Sequence, residues 1–161
     1  MRLESGMQLN HGQRLLLRAQ YLLVLLVVLV ALLVWLPAPE FVVQVARPGL
    51  LLALAYVWFV AGIQVAGPAL VARGDMLPGL LLALGPALLM ALTALLLPLL
   101  QGTGLMFGAV LILRLVERAP SFAALWPAQW QRGRRQQTQL LLVALVSIWV
   151  AIWYALYWEI G

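Results

Sequence analysis

The chain has no cysteine and no lysine, one histidine and five acidic residues among 161. Without cysteine there is no disulfide, no thiolate metal site and no thiol nucleophile. The one histidine, His11, lies near the N-terminus and reads as a solvated tail residue, so no histidine pair exists to hold a metal or relay a proton. The acids are Glu4, Glu40, Asp75, Glu117 and Glu159, and all fall in expected loops or at helix ends. None falls mid-span, where an ionisable group marks a transport or proton path. A phosphate-binding glycine loop, an HExxH pair and a Ser-His-Asp set are also missing. No catalytic residue, cofactor or metal is therefore expected, and no enzyme activity. The use of arginine for every base fits a GC-rich bacterial genome.

What the chain does have is apolar surface. It is 65% hydrophobic and 9% charged, with a mean hydropathy of +1.04. Soluble domains are about 45–50% apolar and about a quarter charged. A fold of this size cannot hide the excess, so much of it must face lipid. The expected class is an all-α, polytopic membrane bundle. The net charge of +5 would suggest nucleic acid in a soluble protein. In a membrane chain it reads as topological charge, and no nucleic-acid partner is expected.

Five transmembrane helices are expected, at about residues 19–36, 49–72, 78–97, 102–116 and 138–158. A cytoplasmic tail at 1–18 precedes them, and a basic cytoplasmic loop at 117–137 precedes the last. The first segment, "AQYLLVLLVVLVALLVWL", spans about 27 Å at 1.5 Å per residue. It exceeds the apolar core of a signal peptide and ends in "PAPE", a poor cleavage site, so it reads as an uncleaved first helix. Pro48 is placed as the start of the second helix. Pro68 and the Gly85-Pro86 pair are placed as breaks in the second and third. "PLLQGTG", Pro98 to Gly104, reads as the turn between the third and fourth. Joined as one helix, Gly79 to Val116 would be about 57 Å long, far beyond a bilayer's need.

Arginine counting supports five spans. Arg2, Arg14, Arg18, Arg73, Arg114, Arg118, Arg132, Arg134 and Arg135 then share one side, and Arg47 alone is on the other. By the positive-inside rule the N-terminus is cytoplasmic and the C-terminus periplasmic, in the bacterial inner membrane. Four spans would put the basic tail and the basic loop on opposite faces.

Few polar groups interrupt the spans. Gln64, deep in the second, is expected to bridge helices by hydrogen bonds. Thr93 in the third can bond its own preceding turn. Gly62 and Pro86 are candidates for close packing, with Ala61, Ala66, Gly67, Gly85 and Ala87 on the same small-residue faces. Arg114 and Glu117 share a helix face, and with Arg118 they form a snorkelling, ion-paired helix end. Trp130, Arg132, Arg134 and Arg135 in "QWQRGRRQQTQ" are expected to dock in the cytoplasmic headgroup layer, with Gly133 making a turn. Anionic lipid is thus the expected partner of the loop. Trp149, Trp153 and Tyr157 recur every four residues as one stripe for lipid anchoring or helix packing.

The order of motifs from Tyr56 to Thr138 resembles small bacterial membrane proteins related to mitochondrial transmembrane protein 69, a family of unknown function. "AYVWFVAGIQVAG" is similar to the family's FLGxxHWG-like helix in Phe59, Gly62 and Ile63, but Gln64 and Val65 stand where the family has His-Trp. "PALLMALTALLLP", the Glu117-Arg118 pair and "WPAQWQRGRRQQT" follow in the family's order, the last in Pro127, Trp130, Arg134 and Thr138. The resemblance implies a polytopic fold and no established activity. If the His-Trp pair carries chemistry in the family, this chain lacks it. The leading expectation is a non-enzymatic structural or accessory component of a membrane complex, with a homo-oligomer or another membrane protein as partner. The alternative is a small oligomeric transporter or channel that uses Gln64 and proline-broken helices.

Overall fold

A computed structural model describes residues 11–70, 77–123 and 126–158. Six helices form among them: α1 (His11–Leu33), α2 (Pro39–Leu70), α3 (Leu77–Thr93), α4 (Leu99–Arg118), the single turn α5 (Pro120–Ala123) and α6 (Ala128–Trp158). Four stretches are long and apolar enough to cross a membrane: His11–Leu33, Pro39–Ala66, Leu99–Arg118 and Ala128–Tyr157. The apolar part of α3, Leu81–Thr93, is shorter.

Packing follows a spacing of three or four, which turns one stripe of each helix inward. On α1 the buried positions are Gln20, Val24, Val27 and Ala31, three or four apart and thus on one stripe. Leu22, Leu25, Leu29 and Leu32 of the same helix are exposed. On α2 the stripe is Val42, Ala46, Leu50, Ala53, Val57 and Val60, and on α3 Leu84, Ala87 and Ala91. On α1 leucine faces outward while valine and alanine face inward, and across the described bundle many leucines are exposed although Leu50, Leu84, Leu113, Leu141 and Leu145 are buried. That is the arrangement of helices whose neighbours are lipid rather than water.

The helices differ from the expected spans at their ends. α2 starts at Pro39 and runs through Arg47-Pro48-Gly49, which were expected to be loop and helix start. Pro39 lacks only an N–H that the first turn would leave unpaired, and Glu40 beside it complements the positive end of the helix dipole. α1 includes residues 11–18 of the expected tail. α6 starts ten residues before Thr138 and takes in most of the expected basic loop. At about 48 Å for α2 and a similar length for α6, both exceed a 30 Å hydrocarbon core and project beyond it.

The α3–α4 connection is also tighter than expected. It closes at residues 94–98, where the Leu96 amide donates to Thr93 O at 2.9 Å. Gly102 and Gly104 therefore lie inside α4. Gly102 is needed for a close approach: a Cβ there would run into the carbonyl oxygen of Ala94. Gly133, expected to make a turn, is helical instead, and a Cβ on it would meet Leu17 of α1 at 2.8 Å.

The expected small-residue faces are only half correct. Ala61 and Ala87 are buried. Gly62, Gly85 and Ala66 are not, and neither Gly62 nor Gly85 has a neighbour within 4 Å of its Cβ position. The side chains of Gly67 and Pro68 lie outside the described residues. α3 continues unbroken through Pro86.

Gly102→Ala should cost about 1–3 kcal/mol, because backbone must shift to admit the methyl group. Gly104→Ala, with open space at its Cβ position, should be neutral or gain up to about 1 kcal/mol from helix propensity. Equilibrium unfolding of the two variants in mild detergent separates these outcomes.

Candidate functional site

The site is built where the first halves of α1 and α6 meet the second halves of α2 and α4. The Arg134 side chain, 3% exposed, lies at its centre. Its Nε and Nη2 both donate to Glu117 Oε1, at 2.8 and 2.5 Å. Its Nη1 faces three oxygens: Tyr56 OH at 2.6 Å, Gln137 Oε1 at 3.0 Å and Gln20 Oε1 at 3.1 Å. Nη1 carries two hydrogens, so one of these three bonds is shared. The guanidinium also lies 5.3 Å from the centre of the Tyr56 ring, a cation–π distance.

Glu117 closes the network. Its Oε1 also accepts from Gln64 Nε2 at 3.1 Å, and its Oε2 from Arg114 Nη1 at 3.0 Å. Gln137 Nε2 donates onward to the Leu17 carbonyl at 3.0 Å. One arginine thus ties together α1, α2, α4 and its own helix α6. A guanidinium this deep must have its donors met, because a buried unpaired charge costs far more than a lost surface pair.

Local sequence places each member. Trp130, Arg134, Gln137, Leu141, Ala144, Ile148 and Ile152 are buried at successive spacings of three or four along α6. The polar stretch continues the apolar stripe in register. Gln20 heads the stripe of α1 in the same way, and Gln64 ends that of α2. Gln131 anchors the start of α6, donating to the carbonyls of Ala123 at 2.7 Å and Trp126 at 3.1 Å. Trp130 is buried and stacks on Trp126 with ring centres 4.7 Å apart.

Several sequence expectations meet these coordinates. Gln64 bridges α2 to α4, and Arg114 pairs with Glu117 one turn apart. Thr93 Oγ1 donates to the Leu89 carbonyl at 2.8 Å and reaches no other helix. Arg118, Arg132 and Arg135 are exposed, as residues that meet headgroups must be. Arg134 and Trp130 are not. Both were expected at the lipid surface, and both point into the bundle because the segment is helical and they fall on its buried side. Tyr56, Gln20 and Gln137 were missed. The signal that could have found them is register with the buried stripe, which polarity alone conceals. The broken helices that a transporter reading requires have no counterpart among the described residues, where α2 reaches Leu70 and α3 passes Pro86. No cluster of three metal-ligating His, Cys, Asp or Glu groups occurs among the described residues either.

Beside the network is a cavity of about 180 Å³. Gln20, Gln64, Arg134 and Glu117 form one wall, Val60, Ile63 and Ala123 contribute apolar surface, and Trp126, Trp130, Gln131, Arg114 and Arg118 complete the lining. Two buried polar atoms of this wall, Gln20 Nε2 and Gln64 Oε1, have no hydrogen-bond partner among the described residues. The amide orientations are set by the network, since Gln20 must turn its oxygen to Arg134 and Gln64 its nitrogen to Glu117.

Comparisons with protein families, with curated proteins and with solved structures find no match for the chain.

Removing one partner of the buried pair should be costly. Glu117→Ala should destabilise the protein by about 3–5 kcal/mol, while Glu117→Leu combined with Arg134→Met should recover a large part of that loss. Arg132→Ala, on the exposed face, should change stability by less than about 0.5 kcal/mol. Unfolding midpoints in detergent for these three variants check the assignment of Arg134 to the interior.

Proposed function

We propose that the chain is a five-span protein of the bacterial inner membrane, with its N-terminus in the cytoplasm and its C-terminus in the periplasm, and that it serves as a non-enzymatic accessory component of a membrane complex. One observation carries the functional part: both charged groups of the buried cluster are consumed in holding helices together. Glu117 accepts from Arg134, Gln64 and Arg114, and Arg134 donates to four residues. Neither is left over as an acid or base for chemistry.

The five-span reading takes α3 as a span. Its 17 residues cover about 26 Å, near the thickness of the hydrocarbon core. The helices then alternate in direction. The first halves of α1 and α6 meet the second halves of α2 and α4 at Arg134, and the start of α4 meets the end of α3 at Ala94. The orientation rests on the exposed arginines. Arg14, Arg18, Arg118, Arg132 and Arg135 lie toward the Arg134 end, and Arg47 lies toward the other.

The resemblance to the transmembrane protein 69-like proteins is part of the same proposal. Three of the stretches that carry it contribute Tyr56, Glu117 and Arg134, and these residues are joined by hydrogen bonds through Arg134. A partner surface is available on α6, where Trp149, Trp153 and Tyr157 are exposed and the last two rings stack 5.5 Å apart.

A periplasm-active phosphatase fused after Trp158 should be active, and a cytoplasm-only fluorescent reporter at the same place dark. The reverse pattern rejects the combination of five spans with a cytoplasmic N-terminus. Extraction in mild detergent should yield a complex larger than the monomer. A monomer alone, with no co-purifying membrane protein, rejects the accessory role.

A further inference from the structure

The cavity beside Arg134 has chemistry that the helix-holding role does not use. Its wall combines three arginines, Arg114, Arg118 and Arg134, with one acid, Glu117, for a net +2. Glu117 neutralises Arg134 by a two-bond contact. Arg114 gives only Nη1 to Glu117, and Arg118 is exposed at the helix end. Among the described residues Arg114 shares Glu117 with Arg134 and Arg118 has no carboxylate partner, and both arginines line the cavity.

The two orphan atoms narrow the chemistry further. Gln20 is 0% and Gln64 2% exposed, and both line this cavity. Among the described residues Gln20 Nε2 is a donor that lacks an acceptor, and Gln64 Oε1 is an acceptor that lacks a donor. Burying such atoms unsatisfied costs about 1–3 kcal/mol each, so the site is complete only when something supplies both kinds of bond. A fully ionised anion such as sulfate offers acceptors alone and would leave Gln64 unmet. A neutral alcohol would leave the +2 unmet. A phosphate ester that also bears a hydroxyl meets all three demands, and Val60, Ile63 and the stacked Trp126–Trp130 pair provide an apolar wall beside it.

We propose that this cavity binds a hydroxyl-bearing phosphate ester, with the phosphoryl oxygens on Arg114, Arg118 and Gln20 Nε2 and the hydroxyl donating to Gln64 Oε1. The inference rests on the membrane reading above, and it names a ligand for the accessory role. The same chemistry occurs in an anionic glycerol headgroup and in a soluble glycerol phosphate. The position beside the exposed Arg132 and Arg135 suits the lipid source.

The test uses the full chain in neutral detergent with four probes: phosphatidylglycerol, phosphatidylcholine of the same acyl chains, glycerol 3-phosphate and inorganic sulfate. Thermal stability and lipid retention by native mass spectrometry are read for each. Phosphatidylglycerol should be retained and raise the unfolding midpoint, and phosphatidylcholine and sulfate should not. Arg118→Gln, outside the helix-holding network, should weaken retention about tenfold without changing the midpoint of the ligand-free protein. Ile63→Trp, which fills the cavity, should abolish it. A shift with glycerol 3-phosphate and none with the lipid keeps the chemistry and assigns a soluble source. Equal retention of the two lipids, retention insensitive to both variants, or no response to any probe overturns the proposal, the last leaving water as the occupant. A protein that co-purifies with a partner yet ignores all four probes keeps the accessory role and loses the ligand. A lone monomer that binds phosphatidylglycerol does the opposite.

Discussion

The fold depends on where the Arg134 guanidinium goes. An arginine cannot lose its charge in a protein, and it carries five N–H donors in a rigid fork. Placed 3% exposed among apolar helices, it must be met from several directions at once. Glu117 meets one edge of the fork with a carboxylate, and Tyr56, Gln20 and Gln137 meet the other. Those partners come from four helices, so satisfying one side chain fixes the relative height and rotation of all four. Apolar faces alone would not do this, since valine and alanine stripes can slide past each other by a turn at little cost. A polar cluster with a single bonding solution acts as the register pin, a role buried polar groups are known to play in coiled coils.

The cost is a constraint on the surroundings. Gln20 and Gln64 each use one end of their amide on the cluster and leave the other end in the cavity wall. The network is therefore complete around the two charges and incomplete at its rim. That division explains how one end of the bundle can be rigid and still offer a binding surface. The charged groups hold the helices, and the amides face the opening between them.

Much of this was legible in the sequence, and the limits follow from how it was read. Composition alone leads to apolar helices, and the small buried residues of α2 and α3 can be placed by spacing. The ends of α2 and α6 could not be placed by hydropathy, which treats the first polar run as a boundary. In α6 the run from Trp130 to Thr138 is polar because it forms the cluster, not because the helix has stopped. Trp130, Arg134, Gln137 and Leu141 keep the buried spacing without a break. Gly133 was misread for a related reason: glycine signals a turn in a loop, but inside a helix it signals a neighbour, here Leu17. Which oxygens would gather around Arg134 was beyond reading, because Gln20, Tyr56 and Glu117 are separated from it by 114, 78 and 17 positions.

Moving Arg134 inside also changes what the arginines can say about orientation. A residue that pins helices together contributes nothing to the charge that meets the headgroups, so it must be removed from the positive-inside comparison. Arg114, bonded to Glu117 and half-buried, is weakened as a witness in the same way. Arg2 and Arg73 lie outside the described residues, and the exposed remainder among those described is Arg14, Arg18, Arg118, Arg132 and Arg135 toward one end, against Arg47 toward the other. The five lie toward the same end as the site that Arg134 organises, and Arg118 lines its cavity. The proposed cytoplasmic face and the proposed anion site are thus consequences of one local charge excess. Glu117 removes Arg134 from that excess and leaves its neighbours to attract the headgroups.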